Sequence, residues 1–273
     1  MPKLFFDNDF SERGVNGLFS DTGYKLGWTH YQATIVQKLN ELLAGDPDEN
    51  MDIKPLLLKY ARDPMSASIF NHASMAFNNH FFYQALSTSP QPLANVTGGL
   101  EATLTRTFGS IETLRTTFLD TAAAMFAPGF VWLVWARDLP GSSPSAKTGG
   151  WRILCTYAAG TPFPEAGYRQ QGIDANTNNA ESYNNYAGSF GGFSKHGRDQ
   201  ARLPPGGTNV MPVLCVNTWE HVWLYDFGIA GKRRFLSDWW DAINWAEVEK
   251  RTPREGKDFI PKFQDERDSK TRR

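Results

Sequence analysis

The period of the apolar residues changes once along this chain, at Pro128 and Gly129, and that change restricts the fold more than any other feature. Before it, apolar side chains recur three or four positions apart, the spacing of one helical face. Tyr31, Ile35, Leu39 and Leu42 predict a long helix over 24–45. A second is expected from Asp63, an N-cap followed by Pro64 at the first helical position, through Ile69, Ala73, Phe77, Phe81 and Leu86 to the break at Ser89 and Pro90. Two helices of that length imply a hairpin. Further helical patterns cover 99–108 and, from a cap at Ser110, the stripe Leu114, Phe118, Ala122 and Phe126. Beyond Gly129 the runs 130–136, 151–157 and 210–216 are dense in β-branched and aromatic residues and predict three buried strands. Phe235, Trp239, Ile243 and Val248 predict one closing helix. Helices first and a small sheet afterwards is the order of an α+β chain.

The expected organisation is an N-terminal helical hairpin over 17–90, a C-terminal α/β domain over 94–251 and an extended tail over 252–273 with two apolar anchors, Phe259 and Phe263. Two insertions interrupt the second domain. Residues 138–150 are rich in Pro, Gly and Ser, and 163–209 are dense in Asn and Gly, so both are expected as exposed loops. The chain has 273 residues, 41% of them apolar and 21% charged, enough for a buried core. Its 28 basic residues against 29 acidic ones give a net charge of -1, so no overall positive field draws it to nucleic acid. No apolar run approaches the roughly 18 residues that cross a bilayer, and no membrane partner is expected. Cys155 and Cys215 read as small core residues of strands in a reducing or redox-neutral compartment. The first twenty residues carry Asp7, Asp9 and Glu12 and show neither a secretory apolar core nor an arginine-rich amphipathic face.

The most informative stretch is 70–86, Phe-Asn-His-Ala-Ser-Met-Ala-Phe-Asn-Asn-His-Phe-Phe-Tyr-Gln-Ala-Leu. It resembles, without a gap, the second helix of the iron/manganese superoxide dismutases, a pattern of the type F-N-x-A-x-Q-x-W-N-H-x-F-Y-W-x-x-L. Asn217-Thr218-Trp219-Glu220-His221 resembles that family's D-x-W-E-H signature, and Phe108-Gly109-Ser110, Trp132-Leu133-Val134, Ala159-Gly160-Thr161-Pro162 and Ile243-Asn244-Trp245 fit between and after them. The resemblance implies the α+β fold of that family: an N-terminal helical hairpin, then a domain with a three-stranded antiparallel sheet and helices.

The family holds its metal with three histidines and an aspartate, and here the resemblance implies a degenerate site. The second-helix histidine falls on Asn79, with His80 one residue on and about 100° away around the helix. The aspartate falls on Asn217, and a neutral amide is a poor ligand for a hard trivalent ion. The first-helix histidine falls at Lys25, Leu26 or Gly27. Only His221 is kept, and one imidazole does not retain a redox metal. The family's glutamine falls on Met75 and its gateway tyrosine on Thr34 or Ile35. No catalytic residue, metal or other cofactor is therefore expected. His72 and His80 read as surface or interface residues, His30 as a helix-surface or gateway remnant, and His196 lies in the polar insertion.

Glu220 and His221 match a pair that makes reciprocal contacts across the family's dimer interface, so a retained interface is expected there. A dismutase shell without its ligands, with large insertions and a tail, resembles the dismutase-like proteins of the small subunit of fungal mitochondrial ribosomes. That resemblance implies a mitochondrial, non-enzymatic building block that pairs with a related chain and meets other ribosomal proteins. Lys232, Arg233, Arg234 and the tail are candidate contacts to protein or ribosomal RNA. The rival readings are a working dismutase with displaced ligands and a metal-free homodimer outside the ribosome.

Overall fold

The computed structural model describes residues 3–61, 63–136, 149–166 and 210–257. The chain opens with a helix the apolar spacing did not announce, α1 (Asp7–Arg13). Asp7 fastens it, accepting from the Tyr24 hydroxyl at 2.8 Å and from Trp28 Nε1 at 3.0 Å. The expected first long helix begins at α2 (Asp21–Tyr24), where Ser20 caps by accepting from the Gly23 N–H. It widens into a π-helical stretch (Lys25–His30) and continues as α3 (Tyr31–Leu42). A short helix that the sequence reading passed over, α4 (Ile53–Tyr60), follows and packs on α5 (Ala67–Tyr83).

Several expectations are corrected here. Helix α5 starts three residues after Pro64, because the Asp63 carboxylate accepts from the Ser66 hydroxyl and the Met65 N–H in a turn of its own. It ends at Tyr83, and Leu86 instead bridges to Ile243. After α6 (Leu100–Phe108) and α7 (Ile111–Ala124), Phe126 lies past the helix end and is fully exposed, not on the buried stripe. The single closing helix is two, α9 (Lys232–Asp241) and α10 (Trp245–Arg251), and a further helix that was not expected, α8 (Glu220–Phe227), precedes them. The break between the last two is tertiary, since the N–H of Asn244 donates to the Ala85 carbonyl and that of Trp245 to Gln91.

Strands β1 (Gly129–Ala136), β2 (Gly150–Tyr157) and β3 (Val210–Asn217) form an antiparallel sheet in the order β2-β1-β3. The central strand is buried on both faces, which is why it reads as an unbroken apolar run. Strand β2 is an edge and only half-buried; Cys155 on it is exposed, and only Cys215 is the core residue expected of both cysteines.

The main core joins the sheet to α5, α7 and the C-terminal helices, with Phe82, Phe118, Trp132 and Trp239 fully buried. A second core gathers Leu39, Leu43, Leu56, Leu57, Phe70 and Phe163 beneath α4. Phe163 and Ala166 thus contradict the exposed loop expected from 163 onward. Phe163 meets the Phe77 ring edge-on at 5.2 Å and takes the Lys54 ammonium over its face at 4.5 Å. Likewise the first residues of the expected extended tail are folded: α11 (Arg254–Lys257) lies against α6, and Thr103 Oγ1 donates to the Gly256 carbonyl at 2.6 Å. Residues 137–148, 167–209 and 258–273, with His196, Phe259 and Phe263, lie outside the described residues. Among the described residues no helix is long and apolar enough to cross a membrane.

Candidate functional site

Three elements meet where the degenerate ligand positions fall: the π-helical stretch, the middle of α5 and the end of β3 with the first turn of α8. The register left open in the first helix resolves to Gly27. Lys25 pairs with Asp21 at 3.1 Å and Leu26 is 40% exposed, whereas Gly27 is buried and its carbonyl accepts from Asn79 Nδ2 at 3.2 Å. Glycine is required there by space: a Cβ would stand 2.3 Å from the Tyr83 hydroxyl oxygen and 3.3 Å from Val222 Cα.

Asn79 and Asn217 are fully buried and bonded to each other, Asn217 Nδ2 donating to Asn79 Oδ1 at 3.1 Å. Asn79 Nδ2 also donates to Gln32 Oε1 at 3.0 Å, and Gln32 Nε2 donates to the Ala76 carbonyl at 2.8 Å. At the other end Asn217 Oδ1 accepts from the Trp219 N–H at 2.9 Å. Every amide nitrogen and oxygen of the three side chains is engaged, as buried polar groups require. Gln32 was missed from sequence. Its signal was its place on the apolar stripe, seven and eleven residues before the buried Leu39 and Leu43.

His221 sits beside this chain but outside it. Its ring stacks on Tyr31 at 3.7 Å, nearly parallel, and its Nε2 is buried with no hydrogen-bond partner among the described residues. Burial pushes the imidazole down to about 4 and the Tyr31 phenol up to about 12. Met75 is buried in the main core, and Ile35, not Thr34, packs inward. His80 is directed elsewhere: its ring lies 5.7 Å from Trp28, and burial, reinforced by the charge of Arg251, pushes it down to about 4. His72 bonds the Ser68 carbonyl through Nδ1, and His30 is exposed. Among the described residues no cluster of three or more His, Cys, Asp or Glu side chains could hold a metal ion.

The remaining candidates lie at the surface around α8 and α9. Glu220 is exposed on the first turn of α8, next to His221. Lys232 donates to the Met125 carbonyl at 2.7 Å and burial lowers its pKa against the attraction of Glu220. Arg233 pairs with Asp120 at 3.0 Å and Arg234 with Asp238 at 3.6 Å, both largely exposed.

Residues 96–157 and 193–251 match the C-terminal domain of iron/manganese superoxide dismutases. An iron superoxide dismutase of Legionella pneumophila is 30% identical over 78% of this chain and 79% of its own length. The chain belongs to the iron/manganese superoxide dismutase family. Two relatives within reach of this dismutase-family chain carry another kind of name. Small ribosomal subunit protein mS42 of Schizosaccharomyces pombe is 30% identical over 72% of this chain and 71% of its own, and mS43 of the same organism is 25% identical over 89% and 82%. The donor set does not fit the family's ion. Gly27 offers no side chain, Asn79 and Asn217 are neutral and committed to each other, and His221 is the one basic nitrogen left at the four positions.

Proposed function

We propose that this chain is a structural component of the small subunit of the mitochondrial ribosome, a dismutase-family protein that catalyses no dismutation and pairs with a related chain. The observation that carries the reading is the amide chain Gln32–Asn79–Asn217, in which Asn79 and Asn217, at two of the ligand positions, are neutral and hydrogen-bonded to each other and to their neighbours. Two relatives with ribosomal names, similar over most of this chain, support the assembly it serves. No cofactor is part of this reading.

In this reading the pairing surface includes Glu220 and His221, and the exposed apolar side chains Leu26, Leu224 and Tyr225 on the π-helical stretch and α8 support it. Helix α8 and that stretch pack on each other, so these side chains share one region. Arg233 and Arg234 keep most of their surface exposed while paired and are the candidates for ribosomal RNA or protein, whereas Lys232 serves the fold through Met125.

Gradient fractionation of mitochondrial lysate tests the reading. The chain is expected to sediment with small-subunit particles, in one-to-one ratio with a related chain. Recovery only as a free dimer, or stoichiometric iron or manganese with dismutase activity lost on His221→Ala, refutes it.

A further inference from the structure

The hydrogen bonds at the old ligand positions all run the same way. The Trp219 N–H donates to Asn217, Asn217 to Asn79, Asn79 to Gln32 and to the Gly27 carbonyl, and Gln32 to the Ala76 carbonyl. The chain starts on a fixed backbone donor and ends on fixed backbone acceptors. No amide in it can turn over without setting oxygen against oxygen at the next link. If Asn79 were reversed to offer its nitrogen elsewhere, its oxygen would face Gln32 Oε1 and the Gly27 carbonyl; reversing Gln32 in turn would face the Ala76 carbonyl.

We infer that this one-way amide chain is a structural tie that stands in place of the metal, joining the first helices and α5 to the end of β3, and that it excludes the carboxylate the family's ion would need at position 217. A carboxylate there still accepts from the Trp219 N–H but has no hydrogen to give Asn79 Oδ1, 3.1 Å away. The same holds one link on: a glutamate at 32 accepts from Asn79 but cannot donate to the Ala76 carbonyl at 2.8 Å. All three side chains are fully buried, so neither oxygen pair is relieved by solvent. The inference stands on these bonds alone and is independent of the ribosomal reading.

The test uses the full chain, with Asn217→Asp and Gln32→Glu as near-isosteric probes and the exposed Asn40→Asp as control. Thermal unfolding is followed near neutral pH in chelator and again with added manganese. Both buried acids are expected to lower Tm by about 6–15 °C in chelator and in manganese alike, and the control by less than about 2 °C. In the unsubstituted chain, the side-chain amide protons of Asn79, Asn217 and Gln32 are expected to exchange slowly by NMR, a readout that survives if a variant fails to fold. Wild-type Tm for Asn217→Asp, its rescue by manganese, or fast amide exchange overturns the inference.

Discussion

Replacing Gly27 with alanine brings a methyl carbon to 2.3 Å from the Tyr83 hydroxyl oxygen and 3.3 Å from Val222 Cα. Helix propensity alone favours alanine by about 1 kcal/mol. Overpacking a filled core costs about 1–3 kcal/mol, and the Tyr83 ring has little freedom to yield, wedged between Tyr24 at 5.5 Å, Trp28 at 5.4 Å and Phe19 at 6.1 Å. The net expectation for Gly27→Ala is a loss of up to about 2 kcal/mol. Tyr83→Phe removes the offending atom. That hydroxyl is fully buried and has no hydrogen-bond partner among the described residues, so its loss is expected to be neutral or stabilising by up to about 1 kcal/mol. In the double variant the clash with the hydroxyl is gone, the milder contact with Val222 and the helix gain remain, and the coupling between the two positions is about 2 kcal/mol. Equilibrium urea unfolding of the four proteins measures it. Equal cost of Gly27→Ala with Tyr83 or Phe at position 83 refutes the argument, as does a loss above about 1 kcal/mol for Tyr83→Phe, which would mean the hydroxyl has a partner.

Burial holds His80 and His221 near 4, while in the unfolded chain they titrate near their ordinary 6.5. Their contribution is complete above about pH 6.5 and is lost as pH falls toward 4, at up to about 1.4 kcal/mol per pH unit for each; unfolding at pH 7.5, 6 and 5 checks it, and a His80→Gln/His221→Gln variant is expected to give a flatter profile. Phe163→Ala opens the second core beneath α4 and is expected to cost about 3 kcal/mol in the same assay, less than 1 meaning that the turn is not an anchor. Excising part of the insertion, residues 167–192, which lie outside the described residues, is expected to weaken cosedimentation with small-subunit particles; unchanged incorporation removes that segment from the contact surface.

The sequence carried the α5 register because Phe81, Phe82, Tyr83 and Leu86 fit the family pattern in one alignment only, and Asn79 follows from it. The first helix resisted because its π-helical turns break the 3.6-residue period that sequence reading relies on, so three positions competed until burial and the Asn79 bond selected Gly27. Asn217 was legible as a changed ligand, but Gln32, whose place on the stripe marks only its burial, is tied in by a bond from Asn79, 47 residues away, that no local pattern encodes. Helix α4 escaped because it is eight residues long with Pro55 in its first turn. The break between α9 and α10 is set by long-range bonds from Asn244 and Trp245, and Phe126 looks helical only until Met125 turns extended, its carbonyl taken by Lys232.

The direction of the amide chain also bears on descent. If the family's acid and imidazole once stood at Asn217 and Asn79, neither could return alone without a cost in stability. Each reinstated ligand would arrive before the ion that justifies it, in a protein already weakened by the change. Selection for folding alone would then keep amides at both positions.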